Sequence, residues 1–263
     1  MQVITSKDNE IIKNIKRLKE KKFRIQEHKY LIEGIKLIEE AIAENADIDT
    51  IVVCEDCIKN QELDSKLLYE VAKYNCIYVN ERIFGLITDV KNPQGILAVI
   101  KKEEESQKIN YDEDLIVILD QVQDPGNLGT ILRTVDSIGL KQIIVAQGSG
   151  DMFNPKVVRS TMGAIFRVKV IESEDIQKTI NEVKKHKFKI IATSLETNKS
   201  IYDVEYKKSA IIIGNEANGV SKTLLDVSDE LIKIPMLGKT ESLNASVATG
   251  IVLYEYVRQK ISK

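Results

Sequence analysis

The feature that most constrains the fold is the regular alternation of short apolar runs with helical segments in the second half of the chain. The apolar runs have the length of β-strands; they are LIVILD (115–120), QIIVA (142–146), FRVKVI (166–171), FKIIATS (188–194) and AIIIG (210–214). Helical patterns lie between them, near 128–138, 155–164 and 176–186, and a long helix follows Asn244. Continuously apolar strands connected by helices are typical of a mostly parallel sheet covered on both faces. The pattern therefore predicts an α/β fold whose ligands bind at the carboxyl ends of the strands.

A polar segment, Lys101–Asp114, separates this region from the first part of the chain. Ahead of it, apolar residues at helical spacing predict one helix over Asn9–Ile25 and a second over 35–42. Strand-like runs are the β-branched stretches 50–53 and 77–79 and the apolar stretch 95–100. We therefore predict a small α/β domain over residues 1–104, a polar linker, and a larger α/β domain over residues 112–263.

The charge of the whole chain does not indicate a partner, because 38 basic residues nearly balance 40 acidic ones. Basic residues outnumber acidic ones locally, between Lys7 and Lys29. That excess fits either a contact with RNA or a solvated helix face. No apolar run approaches the roughly 20 residues that span a bilayer, so we expect no membrane partner.

The cysteines favour a reducing compartment. Their number is odd, and they are Cys54, Cys57 and Cys76, which argues against the disulfide framework of a secreted domain. Cys54 and Cys57 form a single C-x-x-C, but His28 and His186 are remote from it in sequence. We therefore expect a cytoplasmic protein without a metal site.

Three polar segments interrupt the regular pattern at the ends of predicted strands. In the first, 120–134, Pro125, Gly126 and Gly129 predict a tight turn into a helix with free backbone N–H groups. Arg133 follows one helical turn after Gly129, where a fixed cation can hold a phosphate or polarise a hydroxyl. An ordinary loop with a surface arginine is the alternative.

The second segment, 211–221, is a strand that ends in a polar turn rich in glycine and asparagine. A carboxylate at this edge of the sheet, Glu216, rarely serves packing, although the turn could also be a plain connector. The third segment, 234–255, passes from a strand through Gly238 and Ser242 into a helix with small residues on one face. Small residues permit the close approach of a ligand or the tight packing of another helix.

Several common enzyme classes find no support in the sequence. The glycine patterns of dinucleotide-binding folds and P-loops are absent from it. Neither histidine lies next to a candidate nucleophile, so a Ser-His or Cys-His hydrolase has no candidate residues.

In this order, the three segments resemble the motifs of the SpoU/TrmH branch of the SPOUT methyltransferases. The first motif, N-x-G-x-x-x-R, is matched by Asn127, Gly129 and Arg133. The second motif is matched by Gly214, Asn215, Glu216 and Gly219. The residues that match the third motif are Ile234, Pro235, Met236, Gly238, Ser242, Leu243, Asn244 and Ser246. The first domain is similar to the RNA substrate-binding domain that precedes the catalytic domain in many such enzymes. Its segment Lys29–Ile42, KYLIEGIKLIEEAI, carries that similarity.

The resemblance implies a deep trefoil knot at the C-terminal end of the sheet, an exception to the rule that folds are unknotted. It implies S-adenosyl-L-methionine as cofactor, with the adenosine held mainly by backbone groups of Gly214, Ile234, Met236 and Leu243. It also implies a homodimer whose site takes residues from both subunits. The chain departs from the commonest second motif at Ala217, where glycine is frequent and where alanine would resist positive φ.

The implied reaction is in-line transfer of a methyl group to a ribose 2′-hydroxyl, an acceptor that exists only in RNA. Arg133 is the expected central residue and grips the target phosphate rather than acting as a base. The residues expected to orient Arg133, the ribose and the cofactor are Asn127, Glu216, Ser242 and Asn244.

The two-domain organisation favours large-subunit rRNA as substrate, with tRNA as the alternative. A non-catalytic RNA-binding or ribosome-assembly protein is a further reading, which the presence of Arg133, Glu216 and Asn244 disfavours. A generic nucleotide-dependent α/β enzyme would need a phosphate loop that the sequence lacks.

Overall fold

The computed structural model describes residues 3–59, 63–102 and 108–262, and the chain divides into two compact units. The first unit consists of residues 1–104 and 153–166, and the second of residues 105–152 and 167–263. The middle of the polar segment between the predicted domains, residues 103–107, lies outside the described residues, and so do the outer limits of both predicted domains.

The first unit contains a mixed five-stranded sheet with the strand order β1-β4-β3-β5-β2. Strands β1, β3 and β4 pair in parallel, whereas β5 is antiparallel to both β3 and β2. Its elements are β1 (Val3–Ile4), α1 (Glu10–Arg17), α2 (Lys21–Glu27), β2 (Lys29–Glu33), α3 (Ile35–Ala43), β3 (Ile48–Cys54), α4 (Glu55–Lys59), α5 (Ser65–Val71), β4 (Cys76–Val79), α6 (Glu81–Ile87) and β5 (Ile96–Lys101). A core of apolar side chains from α1, β3, α6 and β5 fills one face of this sheet.

The single helix predicted over Asn9–Ile25 is wrong, because the chain breaks it into α1 and α2. The break follows Leu18, and the Arg24 side chain, which is buried, donates to the backbone carbonyls of Leu18 and Lys19 at 2.7 and 2.6 Å. A cationic side chain thus satisfies the carbonyls that the end of α1 leaves open. Apolar spacing alone cannot detect this, since it runs through both helices.

The second unit contains a six-stranded sheet with the strand order β11-β9-β10-β6-β7-β8, and each of its strand pairings is parallel. Its elements are β6 (Leu115–Leu119), α7 (Pro125–Ser137), β7 (Gln142–Ala146), β8 (Lys169–Ser173), α9 (Ile176–Lys185), β9 (Lys189–Thr193), β10 (Ser209–Ile213), α10 (Lys222–Leu225), β11 (Glu230–Ile232) and α11 (Ala245–Ile261). Helix α8 (Pro155–Ser160), between β7 and β8 in the chain, belongs to the first unit. The strands β6, β7 and β10 are buried along their whole length. The predicted α/β fold with a mostly parallel sheet is confirmed.

Helix α7 begins earlier than its apolar spacing predicts. Asp124 is the N-cap residue and accepts a hydrogen bond from the backbone N–H of Asn127 at 2.9 Å, while Pro125 occupies the first helical position. The residues of the first motif therefore lie in the first turns of a capped helix. Along the described ranges, no helix combines the length and apolar character that crossing a bilayer requires.

Candidate active site

The central strands β6 and β10 bring two of the polar segments together. They pair in parallel register, with Leu119 opposite Ile213, so that both chains leave the sheet at the same edge. Asp120 follows β6; its backbone N–H donates to the carbonyl of Ile213 at 2.8 Å, and its buried carboxylate accepts from the N–H of Ser221 at 2.7 Å. The loops after the two strands are therefore joined from their first residues.

The turn after β10 is a closed hairpin held by Asn215. Its backbone exchanges two hydrogen bonds of 2.9 Å with Gly219, and its side-chain oxygen accepts from the N–H groups of Ala217 and Asn218 at 3.0 and 3.1 Å. The side-chain amide donates to the carbonyl of Gln121 at 2.8 Å, across to the loop after β6. Asn215 thus shapes its own turn and joins it to the neighbouring loop.

Glycine is required at the base of this hairpin. A Cβ atom at Gly214 would lie 2.1 Å from the carbonyl carbon of Gly219 and from the backbone nitrogen of Val220, so no larger residue fits. Gly219 has a φ of 67°, whereas Ala217 is not among the described residues with positive φ. Alanine at position 217 therefore causes no strain in this turn.

A chain of side-chain hydrogen bonds joins all three polar segments. Glu216 accepts from the side-chain amide of Asn127 at 2.9 Å. Asn127, which is buried, accepts in turn from the side-chain amide of Asn244 at 2.9 Å. Asn244 is also the N-cap of α11 and accepts from the backbone N–H groups of Ser246 and Val247. Residues far apart in the sequence thus form one continuous polar network.

Glu216 is held as a carboxylate. Burial acts to raise its pKa, but this is outweighed by the hydrogen bonds it accepts from Asn127 and from the backbone N–H groups of Gln123 and Asp124, so that its pKa lies below the usual 4.5. A group that is ionised and hydrogen-bonded in this way is a weak base near neutral pH. Its geometry is that of a bridge between the two loops.

Two of the residues expected to act with this network are not joined to it. Arg133 lies on the exposed side of α7, whereas Asn127 is on the buried side. Ser242 is also exposed. Within the part of the chain that the structure describes, neither side chain makes a hydrogen bond or an ion pair. The single chain thus brings Asn127, Glu216 and Asn244 together and leaves Arg133 and Ser242 open to other molecules.

The loop between β11 and α11 has an unusual backbone. Among the described residues, none of the backbone N–H and C=O groups of residues 234–243 takes part in a hydrogen bond. Its apolar side chains are partly open: Ile234 and Met236 are half-buried, and Leu243 is 37% exposed. Free backbone donors and acceptors beside apolar side chains are what a flat heteroaromatic ring with polar edges can bind.

Residues that sequence reasoning did not select also build the site. Asp120 and Asp124 fix the loop and the start of α7, and the position of each, at the end of a strand and just before Pro125, was visible in the sequence. Gln121 has a φ of 57°, which is uncommon for a residue other than glycine. No sequence signal indicated it, because the partner that accommodates this conformation, Asn215, is far away in the chain.

A search of the described residues finds no group of three or more histidine, cysteine or acidic side chains that could hold a metal ion. The pair Cys54 and Cys57 therefore has no further ligand of these types in that part of the chain. Neither forms a disulfide.

Two protein families match the sequence. The SpoU rRNA Methylase family matches residues 114–254, and the MRM3-like substrate binding domain matches residues 9–98. Together these matches cover most of the chain.

Two curated relatives match 97% and 68% of the chain. The 23S rRNA (guanosine(2553)-2′-O)-methyltransferase RlmP of Bacillus subtilis is 32% identical over 255 residues, which are 97% of this chain and 98% of that protein. The 23S rRNA (guanosine-2′-O-)-methyltransferase RlmB of Bordetella pertussis is 35% identical over 189 residues, which are 68% of this chain and 76% of that protein.

Solved structures share the fold. An AdoMet-bound rRNA methyltransferase from Sinorhizobium meliloti superposes with a TM-score of 0.84 at 29% identity and covers 98% of each chain. An RNA 2′-O ribose methyltransferase superposes with a TM-score of 0.82 at 28% identity, covering 99% of this chain and 100% of the other. The likeness therefore extends through both units.

Proposed function

Since the chain belongs to the SpoU rRNA methylase family, we propose that it methylates one ribose 2′-hydroxyl of large-subunit rRNA at the site formed by the loops after β6 and β10 and by residues 234–243. Membership rests on the match over 114–254 and on a relative that is 32% identical over nearly the full length. The chain is an S-adenosylmethionine-dependent RNA 2′-O-methyltransferase. The observation that carries the proposed site is the polar network of Asn127, Glu216 and Asn244 beside a loop with an unbonded backbone.

The residues of this site fit the cofactor. The unbonded N–H and C=O groups of residues 234–243 can bind the polar edge of an adenine, and Ile234, Met236 and Leu243 can contact its faces. Gly214 allows the hairpin after β10 to close at its base. The bound cofactor supplies a methyl group on a positively charged sulfur, which a 2′-oxygen can attack directly. We therefore assign these four residues to cofactor binding.

A trefoil knot is the proposed topology of this end of the sheet. Strand β11 lies at the sheet edge next to β9, yet the next element, α11, packs on α7, the helix that follows the central strand β6. The connecting residues must cross the ends of β9 and β10. Such a return path is compatible with threading through the loop after β10. An experimental structure with bound S-adenosylhomocysteine would test the knot and the four cofactor residues together.

Arg133 is the proposed catalytic residue, and it acts as a fixed cation. A guanidinium offers five N–H donors and a delocalised positive charge, so Arg133 serves to hold the target phosphate and to stabilise the negative charge that develops on the 2′-oxygen. Ser242, which is exposed within the cofactor loop 234–243, would orient the ribose. The group that takes the proton is not Glu216, because its carboxylate is held by three N–H donors.

Asn127, Glu216 and Asn244 are positioning residues in this proposal. Glu216 fixes the loop after β6, Asn127 transmits that position to Asn244, and Asn244 starts α11. The three amide and carboxylate groups thus set the distance between the loop before α11 and the start of α7. A site for in-line transfer depends on such fixed distances.

A homodimer is proposed from the surface of α11 and from the position of Arg133. Val247, Tyr254 and Ile261 recur every seven residues, which places them on one face of α11, and they are 51, 54 and 78% exposed. An exposed apolar face beside a functional site marks an interaction surface. In a two-fold dimer, the Arg133 of one protomer can lie beside the cofactor bound by its partner and complete the catalytic site there.

A mixing experiment tests this shared site. Arg133→Ala and Gly214→Ala should each be inactive, the second because its Cβ atom displaces the hairpin and abolishes cofactor binding. If the two residues act across the dimer, an equal mixture should recover about a quarter of wild-type activity, since half of the dimers are mixed and each has one intact site. Subunit exchange is verified first. If no activity is then recovered, both residues act in the site of one protomer.

The activity itself is tested with tritiated S-adenosylmethionine and rRNA or tRNA from cells that lack the protein. We expect label in large-subunit rRNA at a single linkage that resists alkaline hydrolysis, because a 2′-O-methyl group blocks attack on the neighbouring phosphate. Label only in tRNA would change the substrate assignment. Absence of label in both RNAs, with S-adenosylhomocysteine still bound, would indicate a non-catalytic RNA-binding role.

A further inference from the structure

The first unit contains a cavity that is separate from the site described above. Its volume is about 440 Å³, within the range of about 300 to 1,000 Å³ that is common for small-molecule sites. It lies where β3 meets α4, beside α6 and the segment that follows α6. Its apolar wall includes Phe84, Val90 and Pro93 together with the two cysteines Cys54 and Cys57.

The polar groups of this cavity carry both signs of charge. Asp56 is engaged, because it accepts from the backbone N–H of Glu81 at 2.8 Å. The side chains of Glu81 and Lys91 are exposed, and in the described part of the chain neither makes a hydrogen bond or an ion pair. The cavity thus combines apolar walls with an available carboxylate and an available ammonium group.

A glycine inside α6 lies on the lining of the cavity and is exposed. Gly85 lines the cavity, and a Cβ atom at this position would meet no described atom within 4 Å. Glycine in a helix interior costs about 1 kcal/mol relative to alanine. Packing does not require it, because the space beside it is empty. A glycine that faces a cavity lets a flat ligand approach the helix backbone closely.

We propose that this cavity binds a guanine base of the RNA substrate that is turned out of its stack. Guanine has apolar faces, adjacent N1–H and N2–H donors that suit the Glu81 carboxylate, and O6 and N7 acceptors that suit the Lys91 ammonium. Single-stranded RNA is recognised through such splayed-out bases. The proposal rests on the proposed RNA methyltransferase function and names how its first unit, which matches a substrate binding domain, selects the RNA.

The decisive variant places a large apolar side chain on the lining of the cavity without weakening the fold. Gly85→Leu in the full-length protein projects a side chain into empty space and replaces a helix glycine, so the thermal midpoint should stay at or above that of the wild type. With rRNA that lacks the modification, we expect the KM for RNA to rise about tenfold, the effect of losing one base contact. The kcat and the affinity for S-adenosylhomocysteine should not change.

The matched control is Ser65→Leu, which adds the same side chain to an exposed position of α5 in the same unit, away from the cavity. It should retain the wild-type KM. An unchanged KM for Gly85→Leu, or an equal rise in the control, overturns the proposal.

Base identity is tested with mononucleotides and with Cys57, the more exposed of the two cysteines that line the cavity. GMP at millimolar concentration should slow the alkylation of Cys57 by iodoacetamide, with Cys76 as internal reference in peptide mass spectrometry. AMP should protect less, and Glu81→Gln should lose the protection by GMP. Equal protection by AMP and GMP, or none by either, overturns the assignment to guanine.

The outcomes separate this inference from the proposed function. A wild-type protein that methylates no RNA refutes the function, while protection of Cys57 still reports on the cavity. Protection by GMP together with an unchanged RNA KM in Gly85→Leu would mean that the cavity takes a free guanine nucleotide, and the RNA proposal would be wrong.

Discussion

The two loop systems at the carboxyl edge of the parallel sheet differ in how their polar groups are used. The hairpin after β10 and the loop after β6 are joined by hydrogen bonds that Asn215 donates and that Glu216 and Asp120 accept. In the loop 234–243, by contrast, no described backbone group is hydrogen-bonded. Both systems lie at the surface, so exposure does not explain the difference.

This difference separates scaffold from binding surface. Polar groups that are paired within the chain have no capacity left for a ligand, but they fix the position of what lies beside them. Unpaired backbone groups can still bind a ligand, but they do not fix the position of the loop until a ligand is bound. Four predictions test this division, in order of decreasing effect.

The largest effect is expected outside both loop systems, at Arg133. Arg133→Ala should lower kcat by about 1,000-fold, the order of effect seen when a group that stabilises developing negative charge is removed. The affinity for S-adenosylhomocysteine, measured by calorimetry, should not change, because Arg133 makes no hydrogen bond to the described cofactor loop. Thr130→Ala, also exposed on α7, is the control. Loss of cofactor binding in Arg133→Ala would refute its assignment to catalysis alone.

A smaller but broad effect is expected from Asn127→Ala. This change leaves the amide of Asn244 and one oxygen of Glu216 without their side-chain partner, which should lower the free energy of unfolding by about 1 to 3 kcal/mol. Cofactor affinity should fall as well, by about tenfold, because the start of α11 loses its position. Denaturant unfolding and calorimetry measure the two effects, and Asn14→Ala on the exposed face of α1 serves as control. Full cofactor affinity in a destabilised variant would show that the network stabilises the fold only.

The contrast between the loops is tested directly by amide hydrogen exchange. Without ligand, residues 234–243 should exchange quickly, whereas the amides of Asn215 and Gly219 should be protected by their mutual hydrogen bonds. S-adenosylhomocysteine should slow exchange in 234–243 and leave the hairpin nearly unchanged. Equal protection of both regions in the free protein would remove the basis of the comparison.

The smallest effect concerns the charge of Glu216. Since its folded-state pKa is lowered, the carboxylate contributes stability above the usual pKa of 4.5 and loses it as pH falls through the lower folded-state value. The thermal midpoint of the wild type should therefore exceed that of Glu216→Gln by at most about 4 °C near pH 7. The difference should shrink below pH 4.5. Glu196→Gln, the same substitution at another exposed glutamate, is the control. A constant difference from pH 3 to 7 would contradict the lowered pKa.

Much of the second unit could be predicted because its strands are buried on both faces. The predicted run Gln142–Ala146 is strand β7 without change, and the predicted long helix after Asn244 is α11.

Two elements of the first unit differ from the prediction. Helix α8 ends at Ser160, earlier than predicted, because the chain turns through positive φ at Met162 and Gly163. Strand β2 was not predicted, since its apolar residues run directly into those of α3.

The site could be predicted in its residue types but not in its connections. The motif residues Asn127, Glu216 and Asn244 were selected together, yet their hydrogen bonds join positions that only the folded sheet brings close. The roles of Asp120 and Gln121 depend on the register between β6 and β10, which has no local signal. The residue types of a site can therefore be predicted from the sequence, whereas the hydrogen bonds between residues far apart in the chain cannot.

The hydrogen bond between Asn127 and Asn244 spans 117 positions of the chain. During synthesis, the start of α7 leaves the ribosome long before α11 is made, and domains fold as they emerge. The network therefore remains incomplete until α11 has left the ribosome and is free to pack. A nascent chain that still lacks α11 consequently has no complete site with which to modify the RNA of the ribosome that is making it.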